Sequence, residues 1–123
     1  MSELALMECI PCKGGIPPMT PDQIAPWLER LGGKWEVLEN RHLHKEFLFR
    51  DFRDALAFTN RIAELAERVF HHPELLLAWG KVEVTLWTYK IGGLSETDFI
   101  FAAKVDAISA EATASHPSPV DPA

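Results

Sequence analysis

Cysteine is scarce in this 123-residue chain, which has only Cys9 and Cys12, in the run C-I-P-C. Two thiols cannot complete a tetrahedral zinc site without two further ligands, and the histidines show no metal-like spacing. A redox pair belongs at a helix N-terminus after a strand, whereas Pro11, Gly14, Gly15, Pro17 and Pro18 set these cysteines in an irregular leader. An ordinary reduced leader is the better reading. Basic side chains are also in deficit, 12 against 18 acidic for a net charge of -6, which argues against an electrostatic grip on phosphate backbones or anionic membranes. No apolar run approaches the ~20 residues of a membrane span. The N-terminus carries Glu3 and Glu8 where a secretory signal needs basic residues, and its apolar stretch is too short. A cytoplasmic protein with no nucleic-acid or membrane partner is expected. Internal repeats and low-complexity blocks are absent as well.

What is present is globular: 47% apolar and 24% charged residues, over the length of one ordinary domain. The expected division is an irregular leader over 1–19, a domain over 20–114 and a flexible, proline-bearing tail over 115–123.

Thr20-Pro21-Asp22-Gln23 reads as a helix start with a capping box; Ile24, Trp27, Leu28 and Leu31 share one face, and Gly32-Gly33 stops the helix. Trp35, Val37 and Leu38 begin a strand that turns at Glu39-Asn40-Arg41, and Leu43, Lys45, Phe47 and Phe49 alternate with His44, Glu46, Leu48 and Arg50 along its partner. Asp51 can cap a long helix whose periodic face is expected from Phe52, Ala55, Leu56, Thr59, Ile62, Ala63, Ala66 and Val69, ending near His71 and Pro73. A second hairpin is expected, with a strand from Leu75 to Trp79, a turn at Gly80-Lys81, and Val82, Val84, Leu86 and Thr88 alternating with Glu83, Thr85, Trp87 and Tyr89. Ser95 and Asp98 make a second box, Leu94 and Phe99 a hydrophobic staple, for a last helix reaching about Ala112. The predicted fold class is α+β, a four-stranded antiparallel sheet with three helices on one face in the order α-β-β-α-β-β-α. The open face and edges of such a sheet favour self-association.

Ionisable groups gather where packing does not ask for them, at Glu67, His71 and His72, followed by Pro73. One histidine at a helix C-terminus is explained by the helix dipole, but two followed by proline are not. Glu67 stands one turn before His71, so its carboxylate can hold that imidazole's proton, or form only a surface ion pair. Asp98 is explained by capping, Trp87 by packing, and Trp79 by either packing or stacking on a flat heterocycle.

The stretch from Glu67 to Phe99, E-R-V-F-H-H-P-E-L-L-L-A-W-G-K-V-E-V-T-L-W-T-Y-K-I-G-G-L-S-E-T-D-F, resembles the signature of pterin-4a-carbinolamine dehydratases. That signature is E-x-x-x-H-H-P, an aromatic residue, and then a T-H pair on the next strand. Here the pair is Thr88-Tyr89. The resemblance implies bacterial origin and a sheet-built homodimer, or a tetramer joined through helices. It also implies removal of water from a 4a-hydroxytetrahydropterin to give quinonoid dihydropterin, with no metal or cofactor. It assigns His71, His72 and Glu67 to catalysis, and Pro73, Trp79, Thr88, Tyr89 and Asp98 to the substrate, with Tyr89 in the place of a third histidine. A phenol with an ordinary pKa of ~10 is a poor proton shuttle near neutrality. A branch of the family associated with α-carboxysomes departs from the enzyme signature and serves as a RuBisCO assembly factor. The expectation is therefore a weakly active or non-catalytic RuBisCO assembly factor, carboxysome-associated, with a working dehydratase as the alternative.

Overall fold

The computed structural model describes residues 3–9 and 14–115, with side chains as far as residue 110. Cys12, and with it any pairing with Cys9, lies outside the described residues, as does the expected tail beyond Ser115. The elements are α1 (Pro21–Leu31), β1 (Glu36–Leu38), β2 (His42–Leu48), α2 (Phe52–Val69), β3 (Glu74–Ala78), β4 (Lys81–Leu86) and α3 (Glu96–Ser115). The strands pair antiparallel in the order β1-β2-β4-β3, so the α+β class is as the sequence predicts.

Local chemistry sets the boundaries. Thr20 accepts from the Gln23 N–H while the Gln23 side chain accepts from the Thr20 N–H, closing the box at the head of α1. Leu38 pairs with His42 across the three residues Glu39, Asn40 and Arg41; Glu39 and Asn40 both have left-handed φ, 54° and 58°, as a type I′ turn requires, and Arg41 N–H donates to Leu38 O at 2.9 Å. Asp51 caps α2 by accepting from the Asp54 N–H at 2.9 Å. Trp79 and Gly80 turn β3 into β4, one residue earlier than expected, with Lys81 already paired to Ala78. A Cβ at Gly80 would meet the Phe49 carbonyl oxygen at 2.9 Å, so this turn needs its glycine.

The alternation along the strands sorts the two faces of the sheet. Leu43, Phe47, Val82, Val84 and Leu86 are buried beneath the helices. Lys45 shares that row because its ammonium reaches Asp106 Oδ1 at 2.7 Å, while Trp35 Nε1 donates to Asp106 Oδ2 at 2.9 Å.

The buried face of α2 keeps Ala55, Ile62 and Ala66 of the predicted one but is turned toward Phe58 and Leu65. Ala55, Phe58, Ile62, Leu65 and Ala66 are buried, whereas Phe52 and Leu56 are exposed, as is Ala63. Both rows obey helical spacing and share Ile62, and the row that adds Phe58 and Leu65 removes more apolar surface from water. α3 is the central helix. It packs against α1, α2, β2 and a 3-10 turn at Glu3–Leu6, which explains burial on every side from Phe99 to Ala103. Leu4 of that turn is buried, and Lys104 Nζ donates to Ala5 O at 2.9 Å. α3 also continues past the expected end at Ala112 to Ser115.

Candidate functional site

The consecutive histidines part company at the end of α2. Phe70 takes the left-handed conformation, φ 55°, and both its own N–H and that of His71 turn back to Ala66 O. The His71 bond is the 6→1 bond of a Schellman end and the Phe70 bond the 5→1 bond of an αL cap, and together they break the helical phase before His71. Pro73 then disfavours helical backbone at His72 and leads into β3. His71 turns inward and is 8% exposed, while His72 stays outside.

His71 Nε2 lies 2.6 Å from Asp98 Oδ1, and Asp98 is fully buried in the first turn of α3. The second oxygen, Oδ2, accepts from Thr88 Oγ1 at 2.8 Å and from the Ser95 N–H at 2.9 Å. A carboxylate only accepts, so His71 Nε2 carries the hydrogen and the imidazole is held in one tautomer. The single Thr88 hydroxyl hydrogen goes to Asp98, so the 2.9 Å contact between Thr88 and Ser95 is donated by the Ser95 hydroxyl. Among the described residues no buried side-chain nitrogen or oxygen lacks a partner.

His72 has a simpler environment. Its Nε2 lies 2.5 Å from Glu67 Oε2, and both side chains are exposed, 54% for His72 and 79% for Glu67. The expected pairing of Glu67 with His71 is therefore corrected: the left-handed step at Phe70 moves His71 off the helical i, i+4 position and brings His72 onto the Glu67 side. With Nε2 held by Glu67, Nδ1 is the nitrogen able to take or give a proton.

Other expected members fall elsewhere. Thr88 and Asp98 are buried behind His71, so they support an imidazole and do not line a solvent-facing surface. Trp79 stands half-exposed at the far end of β3 from Pro73, separated by the strand's length, roughly 17 Å at the usual rise, and does not join the histidines within one chain. Tyr89 lies just beyond β4 in a 3-10 turn, 60% exposed, its ring edge-on to Trp87 with centroids 4.7 Å apart. Ser95 joins the network through its hydroxyl as well as its cap, a role its spacing to Asp98 only half announced. Trp87 was expected to do no more than pack, and its neighbour His42 carried no expectation.

A cleft of about 390 Å³ opens beside the end of α2, lined by Glu8, Cys9, Leu65, Arg68, Val69, Phe70 and Lys104. Burial pushes the Cys9 thiol up to about 11, against the pull of Lys104 and with a smaller push from Asp98, so it is a neutral thiol near neutrality and no nucleophile. No cluster of three metal-binding side chains occurs among the described residues, and none of their helices is long and apolar enough to cross a membrane.

This α+β fold, with a His-His-Pro junction beside its sheet, is that of a known class. The sequence profile of the family described as pterin 4 alpha carbinolamine dehydratase matches residues 17–108. The chain belongs to that family. It is 52% identical over 106 residues to a protein of Alkaliphilus metalliredigens provisionally named pterin-4-alpha-carbinolamine dehydratase, covering 86% of this chain and 96% of the relative. A protein of the same provisional name from Rubrobacter xylanophilus is 53% identical over 106 residues, covering 86% and 98%. Among solved structures, a transcriptional coactivator/pterin dehydratase from Brucella melitensis superposes with a TM-score of 0.69 at 34% identity, covering 75% of this chain and 98% of its own. A pterin dehydratase-like protein identified as a RuBisCO assembly factor in the alpha-carboxysome superposes with a TM-score of 0.56 at 27% identity, covering 64% and 93%.

Proposed function

We propose that the protein dehydrates a 4a-hydroxytetrahydropterin, with His72 as the principal acid and base. In this elimination the C4a–O bond breaks, the leaving oxygen takes a proton and departs as water, and a ring nitrogen gives up a proton to form the quinonoid dihydropterin. An exposed imidazole fixed by a carboxylate suits both transfers, because one ring nitrogen is free to take or give a proton and its orientation is set. The observation that carries the reading is the retention of two separate imidazole–carboxylate pairs, His72 with Glu67 and His71 with Asp98. Tyr89 recognises the pterin without shuttling protons, which makes the reaction slow for the family. Relatives above half identity that bear the dehydratase name support this order of preference over the one expected from Tyr89 alone.

The test is stopped-flow dehydration of a 4a-hydroxytetrahydropterin by the wild type and by His72→Ala. Turnover lost in the variant supports the reading, and turnover unchanged by it rules out His72 as the acid and base. A second reading, assembly of RuBisCO, draws on the solved relative that has that role and on the absent third histidine. Co-expression with RuBisCO large and small subunits should then raise soluble holoenzyme, and an unchanged yield removes it. The homodimer expected for either role has a natural seam at β3, an edge strand with Leu76 half-exposed.

A further inference from the structure

The outer face of the sheet is polar along most of β4. Lys81 and His44 both reach the Glu83 carboxylate, at 3.4 Å and 3.0 Å, and Thr85 follows in the same row. Trp87 interrupts this polar pattern as a partly buried aromatic that also packs against the rim of the core. Leu43 pairs with Leu86, so the next positions outward, His42 and Trp87, are cross-strand neighbours, and their ring centroids lie 4.4 Å apart. Tyr89 then returns to Trp87 at 4.7 Å with the rings inclined by 65°.

The backbone beneath Tyr89 is fixed. Thr88 bridges to Gly93, Gly92 is left-handed at φ 66°, and the Gly92 N–H is shared between the Thr88 and Tyr89 carbonyls. The Tyr89 ring is not fixed in that way. It is mostly exposed, and its hydroxyl makes no hydrogen bond among the described residues, so its direction rests on the contact with Trp87. Two elements thus meet in one ladder, His42 from β2 and Trp87 from the end of β4, with Tyr89 as its last rung.

We propose that His42 and Trp87 are positioning residues that hold the Tyr89 ring as one wall of a site for a flat, hydrogen-bonding heterocycle, the class to which pterins belong. The inference rests on the dehydratase reading and extends it to residues outside the histidine pairs. Edge-on contact occupies part of the Tyr89 ring and leaves the remainder, with the hydroxyl, open to a second planar partner. A ring already held in place loses less freedom when that partner arrives.

Tyr89 is the sole tyrosine of the chain, so tyrosine-selective carbon-13 labelling yields one set of ring signals. In the wild type these should show the ring-current displacement due to Trp87 and move again on titration with 7,8-dihydropterin. In Trp87→Leu they should revert towards free tyrosine, dihydropterin should bind about five-fold more weakly, and KM for dehydration should rise with kcat nearly unchanged. Trp87→Phe should restore the affinity, and His42→Ala should act in the same direction as Trp87→Leu but less. Ring signals or dihydropterin affinity unchanged in Trp87→Leu would overturn the proposal. If the wild type turns over substrate while Tyr89 ignores dihydropterin, the ladder falls and the reaction stands. If dihydropterin moves Tyr89 but no dehydration occurs, the reaction falls and the ladder stands.

Discussion

Two adjacent histidines in this protein occupy opposite environments. His71 is sealed behind α3, with its carboxylate, Asp98, engaged by three donors; His72 is in solvent, with a carboxylate that has one described partner. The first arrangement is a structural network with an imidazole in it. The second is an imidazole with little structure attached, able to exchange protons freely. The difference teaches that a carboxylate beside a histidine has no fixed meaning: burial makes Asp98 costly to disturb, and exposure leaves Glu67 available for chemistry.

The sharpest way to break this comparison is Asp98→Ala. It leaves a buried imidazole, a hydroxyl and the Ser95 N–H without their acceptor, and should cost roughly 3–5 kcal/mol in urea unfolding. Glu67→Gln should change stability by less than about 1 kcal/mol, as expected of an exposed pair. Equal losses would show that burial does not separate the two carboxylates. Next in size is activity. His72→Ala should lower the dehydration rate by about 10²-fold with the unfolding midpoint unchanged, the gain usual for a positioned acid or base. Tyr89→His should act in the opposite direction, raising the rate by about ten-fold, and a fall would show that the phenol has a role an imidazole cannot fill.

The smallest effect comes from Cys9, a third observer of the buried pair. Its thiol titrates near 9 when unfolded and near 11 when folded, so between those values the folded state retains a proton that the unfolded state has lost. Stability should therefore decline as pH rises through that window, and Cys9→Ala should flatten the decline in thermal unfolding scans. An identical slope in the variant would mean that the thiol is not buried as described.

Much of this was legible in the residues. Thr20 with Gln23, Asp51, and Asn40 after Glu39 announce their caps and turn through backbone chemistry that acts within a few residues, and the strand alternation marks the sheet. One edge of the α2 face was misread because Phe52 and Leu56 flank Ala55, Ile62 and Ala66 with the same helical spacing as Phe58 and Leu65, and only the sheet decides between the two edges. The exchange of partners at Glu67 was hidden for a different reason: a left-handed residue is unremarkable as glycine but unannounced as phenylalanine. Asp98 looked complete as a cap because its second oxygen meets a histidine 27 positions away, a contact that no local rule supplies.

Phe70 carries a last consequence. Because backbone handedness at one residue, and not a choice of side-chain rotamer, sends His71 and His72 apart, an arriving ligand has no means of recruiting both imidazoles by rotating them to one side. Their separation is set before anything binds. It would survive any substitution that keeps the left-handed turn, glycine included, and would fail with a β-branched residue that cannot hold it.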